Sequence, residues 1–163
     1  MIVEIPSDLD VLELNHKAVN GDLEIKLIKL NSLKVNSTEG DITINDVVAH
    51  ECTIHTVNGD MILKKSQFDN LQVSTISGDV SMDETVVAAD LTFHTVSGDF
   101  NATNSEANTL YFQAVSGDAS GRNLYIKKLS FDSISGDCSI NNDRKDHIEI
   151  IRQKTLSGDI YIK

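Results

Sequence analysis

The sequence predicts an all-β fold, a single-stranded β-solenoid (β-helix) of about eight rungs with parallel, in-register sheets. Three observations predict it. Eight of the nine glycines are followed by aspartate, these pairs recur at a nearly constant interval, and apolar residues between them alternate with polar ones. The pairs are Gly21-Asp22, Gly40-Asp41, Gly59-Asp60, Gly78-Asp79, Gly98-Asp99, Gly117-Asp118, Gly136-Asp137 and Gly158-Asp159. Their intervals are 19, 19, 19, 20, 19, 19 and 22 residues. Ser precedes the glycine in five copies, Asn in two and Glu39 in one.

Residues 1–163 read as one domain, with residues 1–10, including the sole proline Pro6, as an N-terminal cap and residues 11–163 as the repeats. Each rung opens on a strand whose apolar column, seven residues before glycine, is Leu14, Leu33, Cys52, Leu71, Leu91, Leu110, Leu129 and Ile151. A second column, two before glycine, is Val19, Thr38, Val57, Ile76, Val96, Val115, Ile134 and Leu156, and is read as core. Five before glycine, Phe93, Phe112 and Phe131 are expected to stack as an aromatic ladder between polar ends at His16 and Gln153.

After the Gly-Asp corner comes a second strand. Its inward columns begin at Leu23 and Ile25 and include Ala102, Ala119 and Gly121, small residues expected to offset the phenylalanines. A weaker column nine after glycine, from Leu30 to Ile126, marks a third segment. The alternation has period two, so these are half-buried strands and not helices. A unit this short cannot bury its apolar face alone. Stacking each strand on its equivalent at ~4.8 Å spacing does so and gives a rod roughly 35–40 Å long. A propeller blade needs ~40 residues, which excludes that alternative. A right-handed coil is favoured, because parallel crossovers have that sense.

Each Ser/Asn-Gly-Asp is read as a structural corner, where glycine supplies a positive φ and the polar side chains bond backbone amides. The competing reading is a calcium-binding carboxylate column. Neighbouring carboxylates ~5 Å apart repel by only about 1 kcal/mol in water, whereas a charge-assisted bond to an amide contributes ~1.5–3 kcal/mol. The corner therefore holds without a metal, and no cofactor or metal site is expected.

The formal charge of -11 argues against nucleic acid and anionic membrane surfaces as partners. No apolar run reaches the ~20 residues of a membrane span, and no signal peptide is visible. The address is left open between cytoplasm and cell envelope. Cys52 and Cys138 occupy core columns more than four rungs apart, too far for a disulfide. His55 and His94 face outward two rungs apart, too far for one zinc, and His50 and His147 read as surface residues. Asp69, Asp83, Glu84 and Asp90 read as a solvated acidic rim. The longer last interval adds a charged loop at 141–147, whose Asp143, Arg144, Lys145, Asp146 and His147 form a speculative partner site.

The recurrent Leu-x-Phe/Val-x-Thr-Val/Ile-Ser-Gly-Asp, clearest in Leu91–Asp99 and Leu71–Asp79, resembles the bacterial adhesin-type repeat family also called toastrack-like domains. The resemblance covers about residues 11–163, with departures at Thr38-Glu39 and at Ile151-Arg152-Gln153. It implies a bacterial β-solenoid of unknown function, linked to the cell envelope or to stress responses, and offers no catalytic residues.

The function expected is a non-enzymatic structural or binding module presenting a rigid surface to a protein or glycan partner. Two alternatives stand beside it. One is a carbohydrate-active β-helix enzyme using surface carboxylates. The other is a scaffold that self-assembles into homo-oligomers through its C-terminal rung, Ile160-Tyr161-Ile162-Lys163.

Overall fold

The computed structural model describes residues 13–142 and 147–163, with the backbone of Ile2 and Val3. Among the described residues every regular element is a strand: β1 (Ile2–Val3), β2 (Glu13–Lys17), β3 (Leu23–Asn36), β4 (Ile42–His55), β5 (Met61–Lys64), β6 (Gln67–Ser74), β7 (Val80–Asp83), β8 (Val86–Ser97), β9 (Phe100–Ser116), β10 (Ala119–Ser135), β11 (Cys138–Asn141), β12 (Glu149–Lys154) and β13 (Ile160–Ile162). All pairings are parallel. Two ladders run the length of the molecule, β1-β3-β4-β5-β7-β9-β10-β11-β13 and β2-β3-β4-β6-β8-β9-β10-β12. They share β3, β4, β9 and β10 because those long strands continue around a bend from one face to the next. The chain is a β-solenoid of about eight turns.

The register is the repeat itself. Leu23, Ile42, Met61, Val80, Phe100, Ala119, Cys138 and Ile160 pair in series. So do Leu14, Leu33, Cys52, Leu71, Leu91 and Leu110 on the other ladder. Phe93 and Phe112 lie 5.4 Å apart between ring centroids, and Phe112 and Phe131 stack at 5.0 Å with planes 7° apart. Ala102, Ala107 and Ala119 are buried near this ladder as the volume argument requires. A Cβ on Gly121 would come within 2.8 Å of Leu124, so the missing side chain makes room for that leucine. Cys52 and Cys138 are buried and unpaired. Burial pushes the Cys138 thiol up to about 12 and raises that of Cys52 as well.

Counting from glycine, the inward positions are −7, −5, −3, then +2 and +4, then +7 and +9. The alternation resets its phase at each bend. This corrects one column. The residues at −2 are not core: Val19, Ile76, Val96, Val115, Ile134 and Leu156 are 47–77% exposed. Period two from −7 and −5 sends −3 inward and −2 outward, and the backbone obeys the period against hydrophobicity. The buried −3 position carries Thr56, Thr75, Thr95 and Ser133. Thr56 Oγ1 donates to the Asn58 carbonyl and Ser133 Oγ to the Ser135 carbonyl, each at 3.2 Å, which makes burial of those two hydroxyls tolerable, whereas the Thr75 and Thr95 hydroxyls find no partner among the described residues. Ile151 also departs from expectation. A register shift pairs Ile150 with Leu129 and then Arg152 with Ser130, leaving Ile151 47% exposed.

A second sharp bend lies six residues past glycine. Leu27, Asp46, Lys65, Glu84, Asn104 and Asn123 all have φ between 48° and 54°. Directly after it, at +7, come Ile28, Val47, Ser66, Thr85, Ser105 and Leu124, all buried. The hydroxyls of this column bridge rungs. Ser66 Oγ donates to the Lys64 carbonyl at 2.7 Å and accepts from the Val47 amide at 3.1 Å. Ser105 Oγ donates to the Thr103 carbonyl at 2.8 Å and accepts from the Thr85 amide at 3.2 Å.

Candidate functional site

The side-chain bonds of the Gly-Asp column run from each turn to the next. The amide of Asp41 donates to Oδ1 of Asp22, that of Asp60 to Asp41, Asp79 to Asp60, Asp99 to Asp79, Asp118 to Asp99, Asp137 to Asp118 and Asp159 to Asp137, all at 2.7–3.0 Å. Each carboxylate thus satisfies one backbone donor of the next rung. The amide two residues after glycine donates to the aspartate carbonyl of the next rung, as from Leu23 to Asp41 at 2.9 Å. Among the described residues no group of three or more His, Cys, Asp and Glu is placed to hold a metal ion.

Why glycine stands at this corner is answered by two exceptions. Gly21, on the first rung, has φ 110° and a Cβ there would meet nothing within 4 Å. Gly98 has no left-handed φ, yet a Cβ there would collide with the carbonyl oxygen of Gly78. The repeated requirement is therefore close passage of one backbone over the one before, with positive φ an added constraint in most rungs.

The remaining sequence candidates fall on separate parts of the rod. His50 and Asp69 meet at 2.6 Å on an exposed, gentler third bend ten residues past glycine, where the in–out alternation again changes phase, with Asn70 bonded to Glu51 at 2.8 Å beside them. Asp90 shares that bend, its amide donating to Asn70 Oδ1 at 3.3 Å, whereas Asp83 and Glu84 lie at the second bend. The four acids do not form one cluster. His55 and His94 are separated by Ser74 in the register, two rungs apart as expected. Asp143, Arg144, Lys145 and Asp146 lie outside the described residues, and His147 is exposed.

Two surface features were not among the sequence candidates. The first is a shallow cleft of about 170 Å³ bordered by Val86, Ala88, Tyr125 and Lys127. It falls below the ~300–1,000 Å³ of small-molecule sites. The second is the outward −2 column. Ile76, Val96, Val115 and Ile134 stand exposed on four consecutive rungs, with the half-buried Val57 and the exposed Leu156 on the rungs beyond, an apolar stripe over six rungs that ends at Thr38. Counting strictly by twos from the leucine column would have revealed it. On one side of the stripe lie outward polar residues such as Gln72, Thr92, Tyr111 and Ser130, and on the other, past the serines and glycines, the aspartate column.

Comparison with known proteins agrees with this architecture. No curated protein and no solved structure matches the chain. The family model Toastrack DUF4097 matches it twice, over residues 1–105 and over residues 83–163. The two overlapping matches span the whole repeat array, and the chain belongs to the Toastrack DUF4097 family.

Proposed function

We propose that this domain is a non-enzymatic binding module, a rigid β-rod that presents a flat face to a protein or glycan partner, with an adhesin-like role at the bacterial cell envelope. The observation that carries the proposal is the exposed stripe of Ile76, Val96, Val115 and Ile134. Isolated surface valines need no explanation, but apolar side chains aligned on successive rungs form a contiguous patch, and such patches mark contact sites. The flanking Gln, Thr, Ser and Tyr side chains supply hydrogen-bonding groups at the ~4.8 Å rung spacing. The rod needs no rearrangement to present them.

The test compares the wild-type chain with the triple variant Ile76→Ser/Val96→Ser/Val115→Ser on a glycan array and in pull-downs from purified cell-wall fractions. The changes are on the solvent side and should leave the melting temperature within a few degrees. Retention by the wild type that the variant loses supports the module. Retention that is identical for both, or hydrolysis of any glycan on the array, refutes it.

A further inference from the structure

Resting on the reading of the stripe face as a binding surface, we propose that its partner is a basic amphipathic helix of another protein, laid along the rod axis. The charge of the face selects the sign. In the segments Gln72–Asp79, Thr92–Asp99, Tyr111–Asp118 and Ser130–Asp137 there are five carboxylates, Asp79, Asp99, Asp118, Asp132 and Asp137, and no Lys or Arg. Two basic residues of the following rung border the face, Arg152, which pairs with Asp132 at 2.9 Å, and Lys154, which is in register with Asp132. The four ladder carboxylates remain aligned along one edge of the stripe. A partner with apolar residues on the stripe and Lys or Arg over that edge satisfies both features at once.

Geometry selects the helix. Apolar residues on one helix face recur every ~5.4 Å along the axis, against ~4.8 Å for the rungs. Over the three intervals from Ile76 to Ile134 the mismatch grows to about 1.8 Å, less than half a rung, so four successive contacts stay in register. An extended strand along the axis places same-side residues roughly 6.6–6.8 Å apart, so its mismatch passes half a rung by the second interval. A second copy of this chain matches the spacing but brings the same surplus of carboxylates against the first. Four half-exposed side chains also fall well short of the ~800 Å² per partner that a standard protein interface buries.

The experiment titrates the protein into a fluorescently labelled 18-residue amphipathic Leu/Lys helical peptide, read by anisotropy at low and at physiological salt. The control is a peptide of the same composition with its leucines dispersed around the helix. The amphipathic peptide should bind at least about tenfold more tightly than the control. Ile76→Ser/Val96→Ser/Val115→Ser/Ile134→Ser should weaken it by a similar factor. Asp79→Asn/Asp99→Asn/Asp118→Asn/Asp137→Asn keeps the Oδ1 acceptors, and should weaken binding at low salt and flatten its salt dependence. Circular dichroism and melting of each variant confirm that the rod is intact.

Equal binding of the two peptides, or binding indifferent to the stripe, means adsorption to acidic surface and overturns the proposal. Stripe-dependent dimerisation in sedimentation velocity without peptide binding replaces the helix by a second copy and leaves the binding face standing. If the stripe variant changes neither peptide binding, sedimentation nor glycan retention, the binding-face reading falls with it.

Discussion

Each rung turns sharply twice, at glycine and again six residues later, and the two corners are made in opposite ways. At the first, the backbone passes so close over the preceding rung that a Cβ on Gly40 would lie 2.5 Å from the Gly21 carbonyl oxygen, and closer still on later rungs. At the second, φ is near 50° but the position accepts Leu27, Asp46, Lys65, Glu84, Asn104 and Asn123. From the second rung onward one corner excludes every side chain but hydrogen, and so recurs as glycine on each of those seven rungs. The other charges only a backbone strain of roughly 1–2 kcal/mol, less for Asn and Asp, and so leaves almost no sequence signature. Steric exclusivity, and not the sharpness of the turn, is what makes a corner readable.

The largest expected effect breaks the first corner. Gly117→Ala forces a Cβ into the Gly98 backbone and should cost about 3 kcal/mol or more, a fall in melting temperature on the order of 10 °C. Gly21→Ala meets no neighbouring atom and should cost only the φ strain, roughly 1–2 kcal/mol. Thermal melts of the two variants side by side decide the matter. Equal losses would mean that φ, and not close passage, is what requires glycine.

The next effect belongs to the second corner. Ser105 is fully buried and its hydroxyl bonds the Thr85 amide and the Thr103 carbonyl. Ser105→Ala strands a buried N–H and should cost about 1–3 kcal/mol, whereas Ser105→Thr should be nearly neutral. Urea titration measures both. A loss below about 0.5 kcal/mol for the alanine would show that the bend holds without its hydroxyl bridge.

How much of this was legible follows from the same contrast. The glycine interval gave the solenoid, the rung count and the ladders of Leu14 and Leu23 directly, because each rests on a residue type that the geometry demands. The phenylalanine ladder was legible because one column held three large rings. The +7 column was not, since Ile28, Val47, Ser66, Thr85, Ser105 and Leu124 mix apolar and hydroxyl groups that are buried for different reasons. The stripe was misread because its residues are as apolar as the core. Only their phase, set by Leu71 and Val73 on the preceding strand β6, distinguishes Ile76 as outward. The exposed stripe was therefore hidden by composition and visible only to the period.

The aspartate column sharpens the first corner at smaller cost. Asp118→Ala removes the acceptor for the Asp137 amide and should cost about 1 kcal/mol, with the exposed carboxylate discounted for solvent. Asp118→Asn keeps an acceptor at the same place and should cost less than half as much. Hydrogen exchange at the Asp137 amide should quicken in the alanine variant and stay slow in the asparagine one. Unchanged exchange in both would remove the ladder from the account of this corner.

The smallest effect has the opposite sign. Lys65 sits at φ 48° with its amide donating to the Asp83 carbonyl at 3.0 Å. Lys65→Gly relieves a strain of roughly 1–2 kcal/mol and adds chain entropy to the unfolded state worth about 0.5–1 kcal/mol. The net should be a gain below about 1 kcal/mol, a melting temperature higher by one to three degrees. Asn123→Gly should gain less, because asparagine already tolerates this conformation and its amide nitrogen bonds Asn104 Oδ1 at 3.0 Å. Glycine that stabilises the second corner while alanine breaks the first is the signature of one bend limited by strain and another limited by space. If Lys65→Gly destabilises instead, the lysine side chain holds the bend, and the second corner is more specified by sequence than its varied residues suggest.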